Sequence, residues 1–524
     1  MKAKRVLSIL AATGMLLSMA GCGNTENEGE GIGNSLKEVK EVVFPLEEKQ
    51  TFSSFTVLNY SKYDMDDNLL IQTIEKEANI NIQFQSILPN DAREKRNLLL
   101  SSSGYPDLFF KAGLSAKELY EYGSQGILIA LDDYIRNYMP NLTALMDELD
   151  GWRWITSADG HIYSLPEIER AYTQSNPYWI NKKWLDNLGL KEPTNLDELY
   201  TVLKAFKEKD ANGNGDPNDE LPFVANGSLT DLLQYFGTSA IDKSTYLSVV
   251  DGKLTYIPTS EIFYEYLKFA RKLFDEGLLN KTAFTMTGTE VAAIGTSGDV
   301  LGSFFRGGAF LAVGRDNDDD YKILTPFGKG TYAISTGIDI GGLAITDACE
   351  NPEVICALFD QFYGEEGAIR GLMGIENKTY KINSDGDWEW ILDGEWGTTV
   401  EAVRGSATLQ GSVNIPGKYP DFWYTNMSEN SDPDEIYLNS ERDRTAQYGV
   451  VPLPNMFYSE EDEMTRTALA TDIHKYISQY TAKVVTAEID LESTWDEYLK
   501  TMEAMGVNRL FAIYQKSYDA AMAK

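Results

Sequence analysis

An open α/β sheet is the fold class this sequence predicts, and three observations predict it. Strand-like and helix-like runs alternate from residue 55 to residue 110. A second strand-then-helix pair recurs at 337–363. The body that carries them, residues 50–524, is long enough for two or three domain-sized units around a large core.

FTVLNYS (55–61) reads as a strand, Asp67–Ala78 as a helix, and INIQFQSIL (80–88) as a second strand by its alternation of apolar and polar residues. A helix over Asp91–Ser101 leads through the Gly104-Tyr-Pro turn into a strand ending at Phe110. Residues 115–149 are helix-like throughout. Asp159-Gly-His-Ile-Tyr-Ser-Leu-Pro166 is a turn into a short strand, and Tyr178-Trp179-Ile180 is another. Thr194-x-x-Asp197 after Pro193 has the form of a capping box, and Leu196, Leu199, Tyr200, Leu203 and Phe206 follow at helical spacing. Helical and short apolar segments then alternate to residue 325. GIDIGGLAIT (337–346) predicts a strand, Pro352–Tyr363 a helix, and Thr494–Ala523 one uninterrupted helix. No internal repeat is visible.

Ahead of the body, Lys2, Lys4 and Arg5 precede an apolar run from Val6 to Met19 and then Ala20-Gly21-Cys22. A basic head, a short apolar stretch and small residues before a cut describe a secretory signal over residues 1–21, too short for a membrane span. Small residues directly before Cys22 also resemble the bacterial lipobox, in which that Cys is lipidated. An ordinary secretory cut leaving a free thiol is the alternative. Residues 22–50, rich in Gly, Asn and Glu, read as a flexible tether.

The formal net charge is −34, so nucleic acid and anionic membrane surfaces, which need basic patches, are poor partners. Cys349 and Cys356 are seven apart. An exported chain permits a disulfide there, and two buried free thiols fit the spacing equally. No HExxH, GxSxG, GxxxxGK[ST] or GxGxxG in a strand-to-helix setting occurs. His161 and His474 are the only histidines, which removes multi-histidine metal sites. A carboxylate pair is the remaining enzymatic route, and 80 Asp and Glu give it no location. The run Asp316, Asp318, Asp319, Asp320 is expected to face water.

Two features carry binding chemistry. Asp210-Ala-Asn212-Gly-Asn214-Gly215-Asp216-Pro-Asn218-Asp219-Glu220 places oxygen side chains at loop positions 1, 3 and 5 and Gly at 6, the first half of an EF-hand-type calcium loop. Position 12 is Leu221, so the closing carboxylate falls to Asp219 or Glu220. An Asx-rich turn with solvated carboxylates is the plainer alternative. Tryptophans crowd the second feature: Trp179 and Trp184, then Trp388, Trp390 and Trp396 within NSDGDWEWILDGEW, then Trp423. Aromatic faces in loop-like settings suit a sugar, whose CH faces and hydroxyls they can both meet, and these six are the ligand-binding candidates. Packing in the core or between lobes is the alternative for any one of them.

Trp184-Leu-Asp-Asn-Leu-Gly189-Leu, Pro193-Thr-Asn-Leu-Asp-Glu-Leu-Tyr, Lys204-Ala-Phe-Lys and Asp210-Ala-Asn-Gly-Asn-Gly with Asp219-Glu220 give the chain a family likeness. Asp159–Pro166, Gly374-Ile-Glu-Asn-Lys-Thr-Tyr380 and Trp495-Asp-Glu-Tyr498 extend it over the whole body. The chain resembles the extracellular solute-binding proteins of ABC importers, in the lipoprotein carbohydrate-receptor family that includes the alginate-oligosaccharide-binding proteins. The resemblance implies a two-lobed, periplasmic-binding-protein-like α/β fold with discontinuous lobes and a hinge. Lobe 1 would take 51–165 plus about 326–430, and lobe 2 would take 166–325 plus about 431–524.

It further implies a structural calcium held by the Asp210, Asn212 and Asn214 side chains, the Asp216 carbonyl and the Asp219 and Glu220 carboxylates. This loop has one residue more than the commoner family loop between Gly215 and the Asp-Glu pair. Asn181 stands where relatives often have Arg, which bears on ligand charge. The expected role is a monomeric, non-enzymatic receptor, lipid-anchored at the extracellular face of the cell membrane. It would deliver a carbohydrate to the transmembrane subunits of an ABC permease. The alternatives are an exported polysaccharide-cleaving enzyme and a receptor for peptides or another solute.

Overall fold

The computed structural model describes residues 41–523 apart from 59–63, 103, 170–175, 217, 237–239, 412–414, 430, 455 and 457. The signal segment, Cys22 and most of the tether lie outside the described residues.

Strand β1 (Gln50–Val57) pairs in parallel with β2 (Ile80–Ile87) over its full length and with β3 (Leu108–Phe110) on its other side. β4 (Leu165–Ile168) and β5 (Ile338–Ile345) run antiparallel to each other, and β5 is also antiparallel to β3. β6 (Gly417–Lys418) joins β4 in parallel, giving the order β6-β4-β5-β3-β1-β2. All but β5 therefore point the same way, and helices Leu69–Ala78 and Pro89–Leu100 make the crossovers. Alternation in β2 buries Ile80, Ile82 and Phe84 on one face of the sheet, with Phe110 and Leu343. Phe55, Phe109 and Ala344 bury the other face.

A second body is built on a three-stranded antiparallel sheet of Ser303–Phe305, Tyr178–Asn181 and Tyr321–Ile323. One face packs with Trp184, Leu203, Phe206, Phe223 and residues of the helices Glu460–Val485, Leu491–Ala504 and Val507–Met522. Trp179, Leu301, Phe304 and Leu438 fill the other. The two bodies share no core residue. Core membership changes between Ile168 and Tyr178, between Tyr332 and Ile338, and between Trp423 and Leu438. Each lobe is therefore discontinuous in sequence, and the two are linked by three passages of chain.

Several boundaries differ from the sequence reading. The helix before the Asp210 loop spans Leu196–Glu208 with Asn195 as its cap. The Asn195 Oδ1 accepts from the Glu198 N–H at 2.9 Å, and Thr194 instead donates its N–H and hydroxyl to the Glu198 carboxylate. Asn is the stronger cap, so the cap sits one residue later than Thr194 suggests. The C-terminal helix is two helices, broken where Gly506 takes φ +92°. Residues 115–149 form three helices, the last entered at Pro140. Cys349 and Cys356 are both buried free thiols. Asp318 does not face water: it is buried beside Asp434, and burial pushes its carboxyl up to about 7.

Candidate functional site

The loop at 210–220 is a staircase of side chains bonding to backbone. The Asp210 Oδ2 accepts from the Gly215 N–H at 2.9 Å, the Asn212 Oδ1 from Asn214 at 3.0 Å, and the Asn214 Oδ1 from Asp216 at 2.7 Å. Gly213 and Gly215 take φ +75° and +92°, the left-handed turns that let the loop fold back on itself. The amides of Asn212 and Asn214 donate to the Asp219 carboxylate, and the Asp216 side chain turns to Asn218. Glu220 folds inward, where its Oε1 accepts from the Ala211 N–H at 2.8 Å.

Two carboxylate oxygens, Asp210 Oδ1 and Glu220 Oε2, are buried in this loop without a hydrogen-bond partner. Burial raises the Glu220 carboxyl above its ordinary range. Unpaired buried carboxylate oxygens cost stability, and a hard cation is the partner an all-oxygen donor set would take. The loop oxygens accept from the loop's own N–H groups, and among the described residues no three Asp, Glu, His or Cys side chains converge on one metal position.

The loop is tied to the lobe beneath it. The Asn212 Nδ2 donates to the Asp299 carbonyl at 2.9 Å, and the Asn187 amide to the Ala211 carbonyl. The Asp299 carboxylate in turn accepts from the Trp184 indole at 3.1 Å and the Asn181 amide at 3.2 Å. Asn181 is fully buried and caps the helix Lys182–Asn187, so it serves the scaffold and not ligand charge.

The tryptophans do not form the predicted aromatic cleft. Trp179, Trp184 and Trp388 are fully buried, and Trp390 and Trp423 nearly so. Trp184 meets Phe206 edge-on at 5.2 Å, and the Trp179 indole donates to the Arg306 carbonyl. Trp388 stacks on Trp423 at 4.8 Å. The reason lies in the run NSDGDWEW: its Asn, Gly and Asp residues form the turn of a hairpin pairing Tyr380–Ile382 with Trp388–Trp390. Alternation then sends residues 388 and 390 into the core, while Glu389 between them pairs with Lys381 at 3.2 Å. Of the six candidates only Trp396 is partly exposed, and its indole nitrogen is buried without a partner.

Sequence reading passed over the polar groups at the carboxyl edge of the lobe 1 sheet. Lys111 follows β3 directly, takes φ +52° and donates its N–H to the Gly342 carbonyl at 2.8 Å. Its side chain is fully buried, and burial lowers its ammonium pKa against the pull of the Glu167 carboxylate. Glu167 stands in β4 opposite Asp339 of β5 and Gly417 of β6, and accepts from the Ile415 N–H. Burial raises the carboxyls of both Glu167 and Asp339. Tyr419, held by its N–H on the Ile168 carbonyl at 2.7 Å, carries its phenol to the Gln410 amide at 3.0 Å. No spacing rule joins residues 111, 167, 339, 410 and 419. The one local signal is that Glu167 interrupts an apolar strand.

Comparison with known proteins places this geometry. Over 98% of each chain the sequence is 29% identical to the fructooligosaccharide ABC transporter substrate-binding protein FusA of Streptococcus pneumoniae serotype 4 (strain ATCC BAA-334 / TIGR4). It is 24% identical, over 99% of each chain, to the polygalacturonan/rhamnogalacturonan-binding protein YtcQ of Bacillus subtilis (strain 168). The S. pneumoniae FusA structure in complex with kestose superposes with a TM-score of 0.73 at 27% identity, covering 90% of this chain and 99% of that one. An EF-hand mutant of FusA in complex with fructo-nystose matches equally well, with a TM-score of 0.73 at 26% identity over 90% of this chain and 99% of that one. A profile of the bacterial extracellular solute-binding proteins matches residues 65–369, and the chain belongs to that family.

Proposed function

We propose that this protein is a receptor at the extracellular face of the cell membrane, anchored through lipid on Cys22. It captures an oligosaccharide between its two lobes, passes it to an ABC permease, and performs no chemistry on it. The observation that carries this reading is the end-to-end likeness to FusA, in sequence over 98% of both chains and in fold around a kestose complex. Supporting it, separate cores joined by three passages of chain allow the lobes to close as rigid bodies on a ligand.

We assign 51–165 with about 326–430 to lobe 1, and 166–325 with about 431–524 to lobe 2. The core clusters divide in the same sense a few residues later at two of the boundaries, with Ile168 in the lobe 1 core and Phe327 and Tyr332 in the lobe 2 core. The receptor acts as a monomer.

The Asp210 loop holds a structural calcium through Asp210, Asn212, Asn214, the Asp216 carbonyl, Asp219 and Glu220. Support comes from the two unpartnered buried oxygens and from the EF-hand that a FusA variant is named for. Bound there, the ion supplies positive charge that pairs those oxygens and ties the loop to the helix Leu196–Glu208.

A thermal-shift screen of the purified protein against neutral glycans, acidic glycans and peptides, with and without calcium, tests the reading. A ligand that binds only the folded state raises the melting temperature. The expected result is a shift with one class of glycan. A shift with peptides alone contradicts the sugar receptor.

A further inference from the structure

A chain that crosses between two bodies can turn only where neither body holds it. In the third passage that place is narrow. The Trp388 N–H donates to the Asn426 carbonyl at 2.7 Å, the Ser428 N–H to the Trp388 carbonyl at 3.0 Å, and the Trp390 N–H to the Ser431 hydroxyl at 3.1 Å. Trp388 and Trp390 belong to the lobe 1 core, so lobe 1 holds the passage as far as Ser431. From the next residue the hold is lobe 2's: Asp432 caps the helix Pro433–Thr445, whose Leu438 lies in the lobe 2 core. The second passage changes hands over a similarly short stretch. The Ile334 N–H donates to the Val450 carbonyl at 3.0 Å on the lobe 2 side, and the Gly337 carbonyl accepts from the Glu169 N–H at 2.8 Å on the lobe 1 side.

Arg315 stands on the lobe 2 side of the Ser431–Asp432 peptide. It follows the helix Phe310–Val313, and its guanidinium lies over the Phe310 ring at 5.3 Å. Its Nη1 donates to the Asp432 carboxylate at 2.9 Å and to the Asp434 carboxylate. Both aspartates are buried, so the grip is a charge-assisted one on carboxylates that water reaches poorly. The Arg315 Nη2 lies 3.8 Å from the Glu401 carboxylate. Glu401 is in the first turn of the helix Val400–Ala407, whose Val400 and Val403 are lobe 1 core residues. One guanidinium therefore spans the pivot. Its side chain and that of Glu401 are 49% and 52% exposed, and an exposed pair shifts an equilibrium about two- to fivefold. That strength suits a joint that must still move. Glu401 is also the third carboxylate on one cation, so without Arg315 it would meet Asp432 and Asp434 as like charge.

We infer that Arg315 sets the resting angle between the lobes: it holds the lobe 2 half of the third passage through Asp432 and Asp434 and pairs with Glu401 of lobe 1 across the pivot. The inference rests on the reading of the two bodies as closing lobes and adds the contact that biases their closing. The pair forms at the lobe angle described here. Rotation about Ser431–Asp432 changes the separation of Arg315 and Glu401 while the Asp432 and Asp434 contacts, all within lobe 2, stay intact. Losing the pair therefore repopulates other angles. Lysine does not replace Arg315, because a single ammonium cannot fork to both sides of the pivot.

Double electron-electron resonance between spin labels on the two lobes tests this. The full-length chain carries Cys22→Ser, Glu94→Cys and Lys268→Cys, the last two at exposed helical positions of lobe 1 and lobe 2, while Cys349 and Cys356 are buried away from the label. Without sugar, Glu401→Gln should change the ratio of lobe separations about two- to fivefold from the wild type. Arg315→Lys should change it in the same direction, and the two together no more than either alone. Raising the salt from about 0.05 M to about 0.5 M should carry the wild type toward the Glu401→Gln distribution and leave that variant where it was. Identical distributions in the wild type and Glu401→Gln overturn the inference and leave the receptor standing, as does a salt response that is the same in both. A single lobe separation in the wild type, unmoved by the glycan that gives the largest thermal shift, overturns the closing lobes and the inference together.

Discussion

The Asp210 loop and the carboxyl edge of the lobe 1 sheet are both rich in carboxylates and are built in opposite ways. In the loop, eleven consecutive residues set their own geometry, since the Asn212, Asn214 and Asp216 side chains each close a turn two residues on. At the edge, Glu167 and Asp339 stand opposite each other only because β4 pairs with β5, with Lys111 just past β3 and Tyr419 just past β6. The loop is tuned by spacing, and the edge by topology. The order of the loop's oxygens is therefore set locally, with Asp299 and Trp184 beneath it as its support, whereas the edge depends on the whole of lobe 1.

The largest test of this contrast is Trp184→Ala. Truncating a fully buried indole should cost about 3–5 kcal/mol in denaturant unfolding. Because that indole also bonds Asp299 beneath the loop, calcium affinity should fall with it. Unchanged stability with lost glycan binding would return Trp184 to the cleft.

Next in size is calcium itself. At a free concentration about 100-fold above its Kd, calcium should add about 2.7 kcal/mol to the stability of the wild type and almost nothing to Glu220→Gln. Equal gains in both proteins would place the ion elsewhere.

The edge should answer to pH where the loop variant answers to calcium. The Glu167 carboxyl is raised by burial from 4.5 to about 7. The folded state therefore holds that proton more tightly than the unfolded state, and its contribution to stability is lost as pH rises from 4.5 through 7. Relative to Glu167→Gln, the wild type should lose on the order of 2 kcal/mol across that window, read from denaturation midpoints at each pH. A parallel pH dependence in the two proteins would remove Glu167 from the dry edge.

The smallest effect separates two neighbouring residues. Asn195→Ala should cost about 1 kcal/mol and Thr194→Ala less, because Asn195 is the cap. The reverse order would restore the sequence-based box.

What was legible in the sequence follows the same division. The alternation in INIQFQSIL gave the β2 strand, and Pro352 opened its helix at the first position. The loop could be read because its ligand types recur at every second residue. The tryptophan argument failed because the Gly and Asp residues around Trp388 and Trp390 belong to a hairpin turn, while the strand beside that turn alternates into the core. Composition reports the turn, and only register reports where the rings go. Lys111 and Glu167 were invisible for a related reason: each is an ordinary charged residue until the fold buries it, Lys111 just past β3 and Glu167 in β4 on the far side of β5.

The most direct test of the central claim pairs calorimetry with chromatography of the recovered glycan, using the oligosaccharide that gives the largest thermal shift. A receptor predicts saturable binding of one glycan per chain and complete recovery of that glycan uncut. Shorter fragments in the recovered pool, or no saturable binding with any glycan tested, would contradict it.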